Sequence, residues 1–393
     1  MQFANGKVKK MSIELNKEIL DYIDSHFDET KELIKQLCLI PSPSHHEERR
    51  AAFIKKWLED AGATGVYIDE AKNVVYPVNC EGRDDITFFI AHTDTVFPDM
   101  EAPMPFSEDD ENLYSPGVGD DTTSLSIMLM AAKYVTQKGY KANSGIVFAA
   151  NACEEGLGNL KGVKQLMKDY EGRVKELITF ESNYFRVGNR CVGSHRYKIL
   201  FETEGGHSFG AFGNNNAIHE MAKLVTKLYE KEVPKIEGTK TTYNVGIVSG
   251  GTSVNTIAQN CELMYEYRSD SKECLAHMKE FFEGEIEKAK ATGKAKITVD
   301  LIGDRPCGGD VDPVKLKELT EKGMEISKRY SGGDCVTKSG STDANIPQSL
   351  GIPAICMGLY LGKGSHTREE YVIKSSIPVG MRIAFDMILS YFG

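Results

Sequence analysis

Ile86-Thr87-Phe88-Phe89-Ile90-Ala91-His92-Thr93-Asp94-Thr95-Val96 decides the fold class. Ile86 to Ala91 is an apolar run of strand length, and it ends abruptly in polar chemistry. His92 and Asp94 stand two residues apart, so they point to one side if the strand continues. A carboxylate near a ligating imidazole fixes its tautomer and raises its basicity. Alone, the pair is equally well explained by a structural histidine.

Similar short runs lie on either side: Asn73 to Val78, Gly145 to Ala150 and Glu176 to Phe180. A helical stretch from Thr123 to Thr136 separates the middle pair. Strands alternating with helices predict an α/β sheet covered on both faces, with the active-site loops at the carboxyl ends of its strands. Upstream, Ile19, Leu20, Ile23, Leu33, Ile34 and Leu37 recur at helical spacing between Leu15 and Leu39, until Pro41 and Pro43 end the run. A second helix is expected over Glu47 to Ala61, with Ala51, Ile54, Trp57 and Leu58 as its apolar stripe.

Downstream the character changes. Tyr197 to Thr203, Ala217 to Tyr229, Thr241 to Val248, Cys261 to Arg268 and Cys274 to Lys290 read as β-α-β-β-α, five elements of the β-α-β-β-α-β pattern of a ferredoxin-like α+β unit. A helix over Val314 to Arg329 and a strand over Pro353 to Met357 then return to the first pattern. The expectation is a large domain of residues 1–191 and 306–393 with a small domain, 192–305, inserted into it. A length of 393 residues suits two domains.

The net charge of −10 and the lack of a long Lys/Arg cluster argue against nucleic acid or an anionic membrane as partner. Nine scattered cysteines, odd in number and never spaced Cys-x-x-Cys, predict reduced, mostly buried thiols. The first 25 residues hold no apolar run of signal-peptide length, and no stretch approaches the ~20 apolar residues of a membrane span. A cytoplasmic protein is expected. Met11 is an alternative start, which would make the first ten residues a dispensable tail.

Three more acidic clusters stand at strand ends or helix starts. Gly117-Val118-Gly119-Asp120-Asp121 precedes the helix at Thr123, where either Asp would also serve as an N-cap. Asn151-Ala152-Cys153-Glu154-Glu155-Gly156 puts adjacent acids after the third strand, a costly pairing without a compensating cation or water. Thr179-Phe180-Glu181-Ser182 ends the fourth. Together with His92 and Asp94 they form a pattern that surface solvation explains poorly. His and carboxylates without cysteine suit Zn²⁺ or a harder divalent ion at a catalytic site.

Over nearly the whole chain the sequence resembles the M20 family of metallopeptidases and amidohydrolases. The matching pieces are His92-Thr93-Asp94-Thr95-Val96, Gly119-Asp120-Asp121, Glu154-Glu155-Gly156, Glu181-Ser182, Gly205-Gly206-His207-Ser208, Asn255 with Arg268, Ser341-Thr342-Asp343-Ala344 and Gly364-Ser365-His366-Thr367. The resemblance implies a zinc-exopeptidase-like catalytic domain with a mixed sheet between helices, and an inserted ferredoxin-like lid and dimerisation domain. It implies two divalent metal ions per chain, zinc first, with cobalt or manganese as alternatives. Asp120 would bridge them, one ion held also by His92 and Glu181, the other by Glu155 and His366. Asp94 would orient His92, and Glu154 would be the general base that passes a proton from water to the leaving amine. His207 would contact the oxyanion, reaching the neighbour's site in a homodimer. Asn255 and Arg268 would bind a substrate carbonyl and carboxylate. Without the resemblance, a strand-end salt bridge explains Arg268 as well.

Two places depart from the family pattern: Ala91 stands where glycine is usual, and Thr122 where lysine is usual. Neither supplies a ligand, so substrate geometry is what they affect. Glu181 accompanies carboxypeptidases and N-acyl amino acid hydrolases in the family, whereas Asp there accompanies enzymes acting at a free amine. The leading expectation is an exopeptidase of carboxypeptidase, dipeptidase or tripeptidase type acting on short peptides, and the second an N-acyl amino acid deacylase. An inactive peptide or metal binder is the third, disfavoured because the base, the ligands and His207 are all present. His45 and His46 are expected in solvent, His195 and Trp57 in structural roles, and Gly250-Gly251 and Gly332-Gly333 in loops.

Overall fold

The computed structural model describes residues 15–393. The alternative start at Met11 and the first ten residues lie outside them. The chain divides into two compact units: residues up to Asn189 with Asp312–Lys338 and Ile352–Gly393, and Arg190–Val311 with Ser339–Gly351.

The principal sheet is eight-stranded and mixed, in the spatial order Tyr67–Ile68, Val74–Val78, Gly145–Asn151, Ile86–His92, Val174–Phe180, Ala354–Met357, Arg186–Cys191, Val336–Gly340. Ile86–His92 runs parallel to both its neighbours, and Ala354–Met357 runs parallel to Val174–Phe180. Every residue of Ile86–His92 and of Gly145–Asn151 is buried. That is the signature of parallel strands covered on both faces, and it explains why they read as continuous apolar runs rather than alternating ones. The helix Ser124–Lys138 is buried over most of its surface and packs against Ile377–Leu389. In register, His92 lies opposite Asn151 and Ile90 opposite Thr179. The residues that follow these three strands are therefore delivered to one end of the sheet.

The expected helix from Leu15 to Leu39 is two helices, Lys17–Ser25 and Phe27–Cys38. His26 leaves helical geometry at φ −105°, and its N–H closes the first helix on Tyr22 O at 3.0 Å. No proline or glycine marks the break.

The smaller unit is an antiparallel sheet in the order Thr241–Gly250, Asn260–Ser269, Gly193–Glu202, Lys296–Arg305, with the helices Ala217–Tyr229 and Lys272–Ala291. This is the ferredoxin-like arrangement expected. Cys261, Leu263, Tyr265 and Tyr267 alternate along Asn260–Ser269 and are buried. They join Phe201 and Phe282 in a core of this unit's own. Asn216 and Ser271 cap the two helices by accepting from first-turn N–H groups.

Among the described residues no helix is long and apolar enough to cross a membrane. All nine cysteines are free, and all but Cys80 are buried.

Candidate metal centre

The residues delivered to the sheet's carboxyl end meet around Asp120. Its Oδ1 lies 3.0 Å from His92 Nε2 and its Oδ2 3.3 Å from His366 Nε2. His366 Nε2 is also 3.2 Å from Glu155 Oε1. Ligand atoms of His92, Asp120 and Glu155 all fall within 4.8 Å of one another. Asp120 does not cap the helix that follows, because that helix begins at Ser124 with Thr123 at its N-cap position.

Asp94 does more than the sequence suggested. His92 Nδ1 lies 3.0 Å from the main-chain carbonyl of Asp94 and 3.6 Å from its carboxylate. The backbone oxygen is thus the nearer partner orienting the ring. The Asp94 carboxylate instead accepts from the N–H of Glu154 at 2.9 Å, the N–H of Glu155 at 3.0 Å and Ser44 Oγ at 2.6 Å. It holds both acids by their backbone.

Charge is concentrated here. Burial pulls His92 down, but hydrogen bonds to Asp120 and Asp94 raise it well above the ordinary imidazole value. Bonds to Asp120 and Glu155 hold His366 up to about 10. Burial would raise Asp120, but the two imidazoles hold it well below the usual carboxylate range. Burial, with Asp120 and Glu154 adding, pushes Glu155 up to about 7. Burial, then Glu154 and Asp120, raises Glu181 strongly. Glu181 Oε2 is buried and has no hydrogen-bond partner among the described residues. An unpaired buried carboxylate oxygen among other carboxylates calls for cations, and two imidazoles with oxygen donors suit divalent metals. The residues fit the ions that the resemblance implies.

Several supporting groups carry no motif and were not expected. Arg50 is 2% exposed and donates to the carbonyls of Thr93 at 2.8 Å and Ile40 at 2.9 Å, tying the turn after His92 to the loop before its own helix. Glu47 accepts from the N–H groups of His45 and Cys153, pinning the loop that leads to Glu154. Glu370 accepts from Gly117, Gly119 and Asp120, and burial, then Asp120, pushes it up to about 7. No sequence signal sets them apart, since each stands among other charged residues, in Glu47-Glu48-Arg49-Arg50 and in Arg368-Glu369-Glu370.

His207, Asn255 and Arg268 belong to the smaller unit. His207 pairs with Thr256 in a two-stranded bridge, and Ser208 N–H donates to Asn255 O at 3.0 Å, which brings His207 and Asn255 into adjoining turns. The N–H groups of Phe209 and Gly210 both donate to His207 Nδ1 at 3.3 Å. In the neutral ring the proton then sits on Nε2, which is free to donate. Arg268 holds Glu266 with two prongs, at 2.9 and 3.0 Å. His45 and His46 are exposed, and His195 is engaged by Tyr267 Oη at 2.7 Å.

The sequence model of peptidase family M20/M25/M40 matches residues 88–390. Among curated proteins, a succinyl-diaminopimelate desuccinylase of Corynebacterium glutamicum is 23% identical over 355 residues, 86% of this chain and 90% of its own. Among solved structures, a tripeptidase of Staphylococcus aureus aligns with a TM-score of 0.70 at 22% identity, covering 92% of this chain and 97% of that one. A Bacillus subtilis protein described as a dinuclear metal binding peptidase aligns with a TM-score of 0.65 at 15% identity, covering 94% and 99%.

Proposed function

The chain belongs to peptidase family M20/M25/M40, and from that membership we propose that it is a two-metal hydrolase cleaving an amide bond in short peptides, as an exopeptidase. The observation that carries the reading is Asp120 set between two imidazoles, with Glu154 and Glu155 latched alongside by Asp94. We assign His92, Asp120 and Glu181 to one ion and Asp120, Glu155 and His366 to the other. Zinc is the first choice, and the B. subtilis neighbour described as dinuclear supports the number two. Bound there, such ions polarise a carbonyl and lower the pKa of water.

The chain's own residues do the rest. Glu154 accepts a proton as water adds to the amide carbon and returns it to the nitrogen that departs, so amide and water become carboxylate and amine. His207 offers its Nε2–H to the oxygen that gains charge. Asn255 and Arg268 hold the substrate carbonyl and carboxylate; Glu266 grips the guanidinium from its Nε side, so the substrate would meet its outer edge. We assign chemistry to the larger unit and substrate capping to the smaller.

Two chains are expected to pair through the smaller unit, a reading supported by its edge strand Thr241–Gly250, where Ile247 and Val248 are each 52% exposed. A solution mass of one chain would remove this pairing. A cytoplasmic location fits the free cysteines. N-acyl amino acid deacylation is the second reading, favoured by the desuccinylase relative aligned over most of both chains.

The test is a panel of di- and tripeptides, amino-blocked peptides and N-acyl amino acids, incubated with metal-loaded protein and its Glu154→Ala variant, with products identified by mass. Cleavage that needs a free carboxylate and tolerates a blocked amine supports the roles of Glu181 and Arg268. A requirement for a free amine overturns the free-carboxylate preference read from Glu181 and Arg268, and cleavage of N-acyl amino acids alone favours the deacylase. The variant should lose about 10²–10⁴-fold in rate and still bind metal.

A further inference from the structure

We propose that Glu370 is a positioning residue: its carboxylate ties the loop of Asp120 to the hairpin that carries His366, and so sets the span across which these two side chains share an ion. The proposal rests on the two-metal reading above.

Glu370 is 1% exposed. Its Oε2 accepts from Gly117 N–H at 2.6 Å, and its Oε1 from Gly119 N–H at 3.2 Å and Asp120 N–H at 2.8 Å. The loop needs such an acceptor. Gly117 has φ 76° and Asp120 is not helical, so no regular ladder serves these buried N–H groups. Space for the carboxylate exists only because residue 119 is glycine, where a Cβ would fall 2.8 Å from both Glu370 Oε1 and the Tyr360 ring.

The other end of the tie is equally fixed. His366 sits in a turn closed by Thr367 N–H to Gly364 O at 2.8 Å, and Glu370 follows it by four residues. Tyr371–Ile373 then pairs with both Gly362–Lys363 and Asn112–Tyr114. One ligand's neighbour therefore grips the other ligand's backbone, although the sequence separates them widely.

His92 is held by other means. Its N–H donates to Asp121 Oδ2 at 3.2 Å and its ring is oriented by Asp94 O. Glu154 and Glu155 hang from Asp94. None of these contacts passes through Glu370. Loss of its carboxylate should thus loosen His366 relative to Asp120 and leave the His92 side in place, so the two ions respond unequally.

The experiment titrates Co²⁺ into metal-stripped full-length protein and its Glu370→Gln and Glu370→Asp variants, following visible absorption and heat, with thermal melts of the stripped forms alongside. Unmodified protein should take up two ions. In the variants one ion should bind as before and the other about ten- to a hundredfold more weakly. Unchanged affinity for both ions overturns the proposal. So does equal weakening of both together with a lower melting temperature, which marks a residue that merely supports the fold. Uptake of fewer than two ions by unmodified protein defeats the two-metal reading itself. The Glu370→Asp variant keeps the charge and shortens its reach, so it decides the matter if the amide variant does not fold.

Discussion

At the scale of single residues, the centre depends on where carboxylates send their hydrogen bonds. Asp94 divides its work: its main-chain oxygen orients His92, while its carboxylate carries the backbone of Glu154 and Glu155. Asp94→Asn leaves the main-chain acceptor untouched but replaces one anionic oxygen with a donor, which faces either Glu154 N–H or Glu155 N–H together with the Ser44 hydroxyl. The damage should therefore fall on Glu154, the general base proposed above. Turnover should drop about ten- to a hundredfold with little change in KM, read from steady-state rates on whichever substrate the panel identifies. Ser44→Ala removes the 2.6 Å hydroxyl contact and a weaker one to Glu155 O at 3.4 Å, and should cost less. If Asp94→Asn instead abolished metal uptake, the backbone carbonyl would not suffice to hold His92.

At the scale of elements, legibility followed periodicity and length. Ile86–His92 was readable because a fully buried parallel strand is a continuous apolar run. Asn260–Ser269 was readable because its burial alternates. Ile377–Leu389 was not singled out, since a helix with Met381, Ile383, Ala384, Phe385, Met387 and Ile388 all buried has no polar face to reveal its period. Gly362–Lys363 and Tyr371–Ile373 are too short to show any period, and they frame His366. The proposed ligands were singled out from their motifs. Glu370 was not, because its partners are backbone N–H groups that only the folded chain brings to it. The element most exposed to a single substitution is the helix Lys272–Ala291, whose Phe282 is 1% exposed with ring centroids of Tyr197 at 4.2 Å and Tyr265 at 5.4 Å. Phe282→Ala should cost about 3–5 kcal/mol, seen as a lower midpoint in a urea melt of the full chain. Retention of the midpoint would mean the smaller unit repacks around the void.

At the scale of the whole molecule, the centre makes stability depend on pH, and the sign follows from the direction of each shift. Glu155 and Glu370 rise from the ordinary 4.5 to about 7, and His366 from 6.5 to about 10. Each holds its proton more tightly folded than unfolded, so between its two values the folded state carries the extra proton and stability falls as pH rises. Asp120 and Asp94 are shifted the other way, and their contribution is present above 3.8 and lost below it. The metal-free chain should therefore lose melting temperature from about pH 4.5, where the two acids begin to titrate, to about pH 10, where His366 finishes. Ions at the centre demand the opposite protonation, since carboxylates and neutral imidazoles are the ligands and protons must leave as metal enters. Bound ions stabilise by mass action, by about 2.7 kcal/mol at a hundred times Kd, and Kd itself falls as pH rises. The melting temperatures of zinc-loaded and chelator-stripped protein should diverge steadily across this range in scanning calorimetry. A gap that stays constant with pH would mean that the groups titrating here are not the ones that hold the metal.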